Sequence, residues 1–278
     1  MRTVPVVAAE AVALATNNRV KPLSAGSFRT DGGATMGVLP RALWQRQYDT
    51  DARHRIELEL RLLLIHSEGR NILVDTGLGN RLDDKAHKIY SPSPWSLLDN
   101  LKSLGLGRDD IDTVVLTHLH HDHAGGIVSD FGDGDELTFP NAEHIIQRRE
   151  WKIARNPDTV NRTAYNYDHH LKLLEERGNI RLLNGDCDLT SEVRLVLFAG
   201  HSEGFQAVRV QLDDLLLWYP ADLLANAAHM HTAVASAYDV CRRDTVAAKL
   251  SILTELQKNG GWLIFNHDPR EIGVRYAL

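Results

Sequence analysis

The chain has 278 residues, of which 43% are hydrophobic, and this is enough apolar material for a sizeable globular core. Its formal net charge is −6 at pH 7, so no general positive field favours nucleic acid. No apolar stretch is long enough to cross a bilayer, and two cysteines, Cys187 and Cys241, are too few for a disulfide framework. We expect both thiols to be small buried hydrophobic groups, and residues 1–278 to form one cytoplasmic domain.

The first third of the chain predicts two paired strands, which follow an apolar N-terminal segment and a loop. Residues 4–15 are apolar but interrupted by an acid, which favours a first strand or ordered arm over a signal peptide. Residues 24–33 are rich in glycine and polar side chains and predict a loop. Alternating apolar residues over 55–66 predict a half-buried strand. A turn at 68–70 then leads to a second strand that ends at Asp75.

A helix and a buried strand are predicted next along the chain. Residues 93–105 predict the helix, with Pro94 in its first turn and Gly105 after its end. The β-branched run at 112–116 predicts the strand. The order strand, helix, strand suggests a layer of the βαβ type.

A further strand and helix follow at 140–146 and 147–154. We expect His144, in this strand, to be a core or strand-surface residue rather than a ligand. We expect His169 and His170 to be solvated or locally bonded within a helix.

The C-terminal third predicts mainly strands. A strand is expected over 193–198, a hairpin from 206–211 and 214–219, and a final strand over 262–265. Between them, residues 245–256 predict an amphipathic helix. Its apolar side is expected to consist of Val246, Leu250, Ile252, Leu253 and Leu256.

Five predicted strands share one feature, because each is followed closely by a histidine or an aspartate. These residues are Asp75, His118, His201, Asp222 and His267. Sheets of α/β proteins place their sites where strands end, so we expect these side chains to meet in one cleft at one edge of a two-sheet core.

The densest group of potential metal ligands lies in residues 117–126, directly after the strand at 112–116. Four histidines and one aspartate fall within residues 118–123, and two glycines follow. Imidazole and carboxylate are donors suited to zinc, manganese or iron(II). A histidine-rich surface loop would not explain the matching residues downstream, and a structural zinc site would be expected to use cysteine.

The segment His118-Leu119-His120-His121-Asp122-His123 matches the H-x-H-x-D-H signature of the metallo-β-lactamase-fold hydrolases. The chain resembles this family from about residue 60 to its end. The spacing of the later strand-end residues, and the closing segment 266–269, look most like the N-acyl homoserine lactonase type of member. The resemblance implies an α/β fold, an αββα four-layer sandwich in which two mixed β-sheets are flanked by helices.

The resemblance also implies a ligand for each position of a dinuclear metal site. The first ion would be held by His118, His120 and His201, the second by Asp122, His123 and His267, and both by Asp222 as a bridge. Asp75 matches the family's acid that supports the metal loop, because a metal-bound imidazole needs an acceptor on its other nitrogen. A turn-forming role for Asp75 stays open as the alternative.

The expected cofactors are two divalent ions, zinc above all, with manganese, iron or cobalt as alternatives, because the same donors accept several ions. Two ions about 3.5–4 Å apart can share a hydroxide, because they lower the pKa of water towards about 7. We expect this bridging hydroxide to attack an electrophilic carbonyl or phosphorus. Asp122 and Asp222 are the predicted catalytic residues, and they would offset the repulsion between the ions.

Other residues bear on the substrate. An aspartate at position 222, where many β-lactam-hydrolysing members have cysteine, is similar to lactonases, glyoxalase II types and phosphotriesterase-like members. Two departures stand against homoserine lactones in particular: no tyrosine follows Asp222 closely, and Phe205 replaces the second histidine of the usual Gly-His-Thr-Pro-Gly-His element. Residues 24–44 are either a lid over the site or an ordinary surface loop. Pocket positions are expected for Phe28, Met36 and Trp44 and are an open alternative for His229, Met230 and His231.

We therefore expect a metal-dependent hydrolase that opens lactones or cleaves related carboxylic esters. The alternatives are a phosphotriester or phosphodiester hydrolase on the same site, a glutathione-thioester hydrolase, an RNA-processing nuclease and a non-catalytic binding module. The expected partner is a small-molecule ester or lactone, with neither nucleic acid nor a membrane involved, and a homodimer stays open.

Overall fold

The computed structural model describes residues 3–6, 8–213 and 215–277, and within them the chain forms fifteen strands and nine α-helices. The strands are β1 (Thr3–Val6), β2 (Val20–Asp31), β3 (Arg55–Ser67), β4 (Arg70–Val74), β5 (Thr113–Val115), β6 (Val128–Asp130), β7 (Asp135–Leu137), β8 (Glu143–Gln147), β9 (Asn179–Leu183), β10 (Cys187–Asp188), β11 (Val193–Leu197), β12 (Gln206–Leu212), β13 (Leu215–Tyr219), β14 (Gly261–Ile264) and β15 (Gly273–Tyr276). The α-helices are α1 (Ala9–Ala15), α2 (Gly32–Met36), α3 (Arg41–Trp44), α4 (Asp84–Tyr90), α5 (Leu97–Ser103), α6 (His121–Ala124), α7 (Arg148–Arg155), α8 (Lys172–Arg177) and α9 (Arg242–Asn259). Short 3-10 helices at Ala221–Leu224 and Ala227–Met230 follow β13, and a π-helical turn covers Tyr167–Leu171.

Two large mixed sheets form the centre of the molecule. One has seven strands in the order β1-β15-β14-β13-β12-β11-β10, and the other has six in the order β2-β3-β4-β5-β8-β9. Strands β6 and β7 form a small separate hairpin. In the six-stranded sheet β4, β5, β8 and β9 run parallel, and in the seven-stranded sheet only β13 and β14 pair in parallel among the described residues.

Two apolar cores hold these layers together. One lies between the sheets, where Ile65 and Val74 of the six-stranded sheet share a cluster with Val208 of the seven-stranded sheet, and α9 contributes Ile252 to the same cluster. The other core joins the opposite face of the six-stranded sheet to helices α5 and α7. The predicted αββα sandwich is therefore confirmed, because each sheet buries one face against its partner and the other against helices.

The hairpin between β3 and β4 forms as predicted and sets the register of the sheet. Its two turn residues, Glu68 and Gly69, have φ values of 51° and 75°, the left-handed conformation that a two-residue hairpin turn of this hand requires. The β3 strand alternates between buried and half-buried residues at its start and is almost wholly buried from Leu60 onward, because it then lies between the two cores.

The N-terminal region differs from its prediction in two places. Residues 3–6 are a strand as expected, but the alanine-rich Ala9–Ala15 is a helix, as its high helix propensity allows, and Val7 lies outside the described residues. The loop predicted at 24–33 is wrong, because residues 24–31 extend β2. The long neighbouring strand β3 supplies hydrogen-bond partners along this whole length, and Gly26, with φ 110°, takes up the irregularity in the pairing.

Two element boundaries are also corrected. The predicted helix at 93–105 begins only at Leu97, because Ser93 is tied by its backbone N–H to Ser27 O and the Trp95 Nε1–H donates to Thr76 O. The strand at 262–265 is not the last one, because β15 follows and pairs with β14. The predicted hairpin of 206–211 and 214–219 is present, although Asp214 itself lies outside the described residues.

Several side chains have a different burial from the one predicted. Leu250 of α9 is 48% exposed, and the buried apolar face of the helix is formed by Ile252, Leu253 and Leu256. His170 was expected to be solvated or locally bonded, but it is only 5% exposed and its ring Nδ1 has no hydrogen-bond partner in the described part of the chain. His144 is fully buried, as its core interpretation predicted. The two cysteines are free and half-buried rather than buried.

A search of the described helices for an apolar segment of bilayer-spanning length finds none. The cytoplasmic location, the possible dimer and the single-domain assignment of residues 1–278 stay predictions.

Candidate metal centre

All five strand-end residues singled out in the sequence come together at one edge of the two sheets. Asp75 and His118 follow β4 and β5 of the six-stranded sheet. His201, Asp222 and His267 follow β11, β13 and β14 of the seven-stranded sheet. Because both sheets direct these strand ends to the same side, residues more than a hundred positions apart share one cleft.

One group of donor atoms consists of three buried histidines, His118, His120 and His201. Their ligand-type nitrogens lie within 4.8 Å of one another, and His120 Nδ1 is 3.1 Å from His201 Nε2. His120 ends the extended segment after β5, and α6 begins at the next residue. Gly200, with φ 126°, turns the chain after β11 so that His201 faces the other two imidazoles.

A second group consists of Asp122, His123 and His267. Asp122 Oδ2 lies 3.8 Å from His123 Nε2 and 3.4 Å from His267 Nε2. Asp122 and His123 lie in the single turn of α6, and the His123 ring also packs against His118, with 4.1 Å between the ring centroids. His267 reaches the same point from the end of β14.

Asp222 lies between the two groups, with one carboxylate oxygen facing each. Its Oδ2 is 3.2 Å from His201 Nε2 and 3.9 Å from His118 Nε2. Its Oδ1 is 3.1 Å from His123 Nε2 and 3.2 Å from His267 Nε2. This is the position a bridging carboxylate would occupy, so all seven predicted ligands meet in one place.

The chemistry of these donors fits a pair of cations. The Nε2 atoms of His118, His123 and His267 are buried, and within the described residues each lies near a carboxylate oxygen without the geometry of a hydrogen bond. A buried polar atom without a partner costs about 1–3 kcal/mol, so three of them directed into one cluster need a further group to satisfy them. Neutral imidazole and carboxylate, without cysteine, are suitable ligands for zinc and similar ions.

Hydrogen bonds on the far side of the rings fix how the imidazoles point. Asp75 Oδ2 lies 2.9 Å from His123 Nδ1, and the same carboxylate accepts hydrogen bonds from the backbone N–H and hydroxyl of Thr117. Asp239 Oδ1 lies 2.8 Å from His201 Nδ1, and the Glu59 carbonyl lies 2.7 Å from His267 Nδ1. Asp75 therefore contacts the metal loop as expected.

The conformation of Asp75 also sets this residue apart. It is fully buried and has φ 64°, a left-handed conformation that is uncommon for any residue but glycine. A turn-forming role and a supporting role are thus compatible, because the turn is what aims the carboxylate at His123. Asp239 was missed at the level of sequence, since it stands in an ordinary loop segment with no motif around it.

The pKa values of the clustered histidines are shifted in different directions, and for His201 burial is outweighed by Asp222 and Asp239, which raise the pKa. Burial lowers the pKa of His118 and His120 well below the usual range, and the neighbouring imidazoles lower it further. Burial also disfavours the charged forms of His123 and His267, but Asp222 outweighs it and raises both pKa values, that of His267 to about 9. Burial opposes ionisation of Asp222, but His123 and His267 outweigh it and lower its pKa, so the bridging carboxylate stays charged.

A cavity of about 190 Å³ opens onto both groups. Phe28 lines it, as predicted, and its ring meets the His267 ring edge-on at 5.8 Å. Met36 and Trp44 do not; both are buried in the core beside the six-stranded sheet, so these two predictions are wrong. The segment 24–44 thus contributes three wall residues, Phe28 and Thr30 on β2 and Thr35 on α2.

The wall also contains polar side chains that the sequence did not single out or left open. Tyr90 and Tyr238 both line the cavity, and the Tyr238 hydroxyl lies 3.0 Å from Thr30 Oγ1. Burial raises the pKa of both phenols, so both stay protonated near neutral pH. His229 lines the cavity and is buried, whereas Met230 packs against the core and His231 faces a separate groove.

Known proteins are similar to this chain in sequence and in fold. Residues 62–129 match the model of the metallo-beta-lactamase superfamily. An N-acyl homoserine lactonase, AttM, from Azorhizobium caulinodans is 29% identical over 228 residues, which cover 74% of this chain and 80% of the relative. A probable metal-dependent hydrolase from Staphylococcus aureus superposes with a TM-score of 0.86 at 25% identity, covering 93% of this chain and 92% of its own. AidC, a dizinc quorum-quenching lactonase, superposes with a TM-score of 0.71 at 21% identity, covering 92% and 89%.

The fold and the clustered His and Asp side chains define a hydrolase of the metallo-β-lactamase type. Residues 62–129 are similar to the metallo-β-lactamase superfamily, and the longer sequence is similar to those of N-acyl homoserine lactonases.

Proposed function

We propose that this protein is a dinuclear metal-dependent hydrolase that opens lactones or cleaves related carboxylic esters. The observation that carries the proposal is the placement of Asp222, whose two oxygens face two separate groups of donors. The similarity to N-acyl homoserine lactonases supports the lactone as substrate. Zinc is the proposed ion, with manganese, iron or cobalt as alternatives.

Seven side chains would hold the ions. The proposed ligands are His118, His120 and His201 for one ion, Asp122, His123 and His267 for the other, and Asp222 for both. Divalent ions held by such donors supply Lewis acidity and make hydroxide available as a nucleophile near neutral pH.

The chain's own residues determine what happens around this centre. Asp122 and Asp222 add two negative charges, which reduce the repulsion between two cations, and we propose them as the catalytic carboxylates. Phe28 and Leu58 form an apolar part of the cavity wall that keeps bulk water from the reacting carbonyl. The protonated hydroxyls of Tyr90 and Tyr238 can donate hydrogen bonds to substrate oxygens. They would take the role of the tyrosine that is missing from the segment after Asp222.

The lining of the cavity supports an uncharged ester over a phosphodiester as the proposed substrate. Among the described residues that line it, none is a lysine or an arginine. A substrate with a permanent negative charge would therefore gain no charge-assisted hydrogen bond from the wall.

The test is a substrate panel on the purified protein, stripped of metal and reconstituted with zinc, manganese or cobalt. We expect two ions per chain by elemental analysis, and faster opening of γ- and N-acyl homoserine lactones than of aryl phosphates. Turnover of aryl phosphates above that of every lactone and ester would favour the phosphoester alternative. Full activity without any bound metal would contradict the proposal.

A further inference from the structure

Glu150 is a buried carboxylate near the metal centre that none of the steps above uses. It lies in the first turn of α7 and is 0% exposed. Among the described residues it forms no ion pair with lysine, arginine or histidine, so its charge is not neutralised by a cation in contact with it. Burying a carboxylate is costly unless several hydrogen bonds compensate for the lost water.

Three donors from three separate segments supply those hydrogen bonds. The Leu119 backbone N–H donates to Oε1 at 3.0 Å, and the Tyr165 hydroxyl donates to the same oxygen at 2.8 Å. The Ser202 hydroxyl donates to Oε2 at 2.6 Å. Burial and the carboxylate of Glu150 raise the pKa of Tyr165 above its usual range, so this phenol remains a donor.

Each donor is next to a member of the three-histidine group. Leu119 stands between His118 and His120 in the chain, and Ser202 directly follows His201. The ring of Tyr165 meets the His120 ring edge-on, with 4.9 Å between their centroids. The Glu150 carboxylate thus accepts hydrogen bonds from residues that are adjacent in the chain to His118, His120 and His201, or that pack against the His120 ring.

The loop after β11 is shaped for this contact. At Gly204 a Cβ atom would lie 2.2 Å from the Glu150 backbone nitrogen, so only glycine lets the loop approach α7 this closely. In the described part of the chain Glu150 makes no hydrogen bond to the second donor group, whose ring nitrogens contact Asp75 and the Glu59 carbonyl instead.

We propose that Glu150 is a positioning residue for the three-histidine group, which it holds in shape for a cation without touching the ion itself. The proposal rests on the proposed function, because it assumes that this group binds a metal. It assigns Glu150 to one of the two groups only, so removing it affects the two ions unequally.

The experiment titrates metal-free protein with Co²⁺ by calorimetry and records the visible absorption spectrum of the bound cobalt. Wild type is expected to bind two ions. For Glu150→Ala we expect one site to weaken by about 10–100-fold, the range for loss of a partner that orients a ligand, while the other changes less than about 3-fold. The spectrum of the weakened site should change as well, since the geometry of its ligands relaxes.

Matched variants show which group responds. Asp75→Asn removes the negative charge of the group that contacts His123 Nδ1 and should weaken the opposite site. Tyr165→Phe and Ser202→Ala each remove one donor and should give smaller losses in the same site as Glu150→Ala. Glu150→Gln keeps the oxygen that accepts from Leu119 and should restore most of the affinity.

The outcomes are distinguishable. Folded Glu150→Ala that binds both ions as wild type does, or loses both equally, overturns the proposal. If Glu150→Ala fails to fold, unchanged cobalt binding by both Tyr165→Phe and Ser202→Ala overturns it instead. Wild type that binds fewer than two ions contradicts the proposed function itself, whatever the variants do.

Discussion

The two donor groups of the candidate metal centre are built in different ways. The three-histidine group contains no carboxylate of its own and is supported by distant elements, Asp239 from the loop before α9 and Glu150 from α7. The group of Asp122, His123 and His267 contains a carboxylate and is supported from β3 and the end of β4. The first group therefore depends on how the outer parts of the fold pack, and the second depends on the central sheet.

The pKa values of the clustered histidines also differ from one another. The pKa values of His118 and His120 are lowered, so both rings are neutral near neutral pH. In the other group Asp222 raises the pKa of His123 and His267. Burial also disfavours the charged form of His201, but Asp222 and Asp239 outweigh it and raise the pKa. The same kind of side chain thus has opposite protonation behaviour a few ångströms apart, because carboxylate oxygens lie closer to His201, His123 and His267 than to His118 and His120.

Asp222 is the one residue shared by both groups, and its loss should have the largest effect. Asp222→Ala is expected to reduce kcat/KM by on the order of 10³-fold or more, because both ions lose a ligand and the charge that offsets their repulsion. Lactone hydrolysis and metal content by elemental analysis measure the effect. His66→Ala, an exposed histidine of β3, is the control. A variant that keeps two ions and full activity would show that Asp222 is no ligand.

Removing one histidine from each group tests whether the groups are separate sites. His120→Ala and His267→Ala should each lower activity by on the order of 10²-fold or more and should each reduce the bound metal from two ions towards one. Circular dichroism checks that the fold persists. His170 is buried but is not one of the proposed ligands, so His170→Ala is expected to lower the thermal midpoint while leaving metal content unchanged. Equal metal content in all three variants would contradict the division.

The supporting acids give a smaller and more selective effect. Asp75→Asn should weaken the ion near His123, and Asp239→Asn should weaken the ion near His201, each by about 10–100-fold. Both substitutions keep an oxygen in place, so the imidazoles lose the charge of their partner but not its shape. Competition with a chromophoric chelator measures each affinity. Identical losses at the same ion would show that the two acids do not serve different groups.

A buried lysine gives the smallest effect and probes the segment that carries Asp239. Lys249 of α9 is fully buried and donates to the carbonyl oxygens of His229 and Val234, at the start of that segment. Burial lowers its pKa from 10.5 to about 8. Between these pH values the unfolded chain binds a proton that the folded chain does not, so this group makes stability rise with pH.

Relative to Lys249→Met, the wild-type free energy of unfolding should therefore increase from pH 8 to pH 10.5, by at most about 3 kcal/mol. Urea unfolding at several pH values measures the difference. Lys258→Met, an exposed lysine of the same helix, should show no such trend. The two free energies of unfolding could instead differ by the same amount at every pH in this range. That result would mean that folding does not lower the pKa of Lys249.

Sequence by itself determined the metal loop and most of the strand ends, and the sandwich fold followed from the resemblance of that loop to a known family. Residues 118–123 concentrate ligand chemistry in one short segment, and the strand-end positions of His201, Asp222 and His267 follow from local hydrophobic patterns. Such signals are local, because strand periodicity and ligand type can be seen within a few residues. The departures at Phe205 and after Asp222 were visible for the same reason.

Only the tertiary structure decided which other residues serve the site. Glu150, Asp239 and Tyr238 stand in ordinary stretches of sequence, and the contacts of Glu150 reach 31 and 52 positions along the chain. The strand at 24–31 formed against the local signal for a loop, because β3 offered it a long partner. Hydrogen bonds between distant segments depend on how sheets and helices pack, and no local pattern of residues encodes that packing.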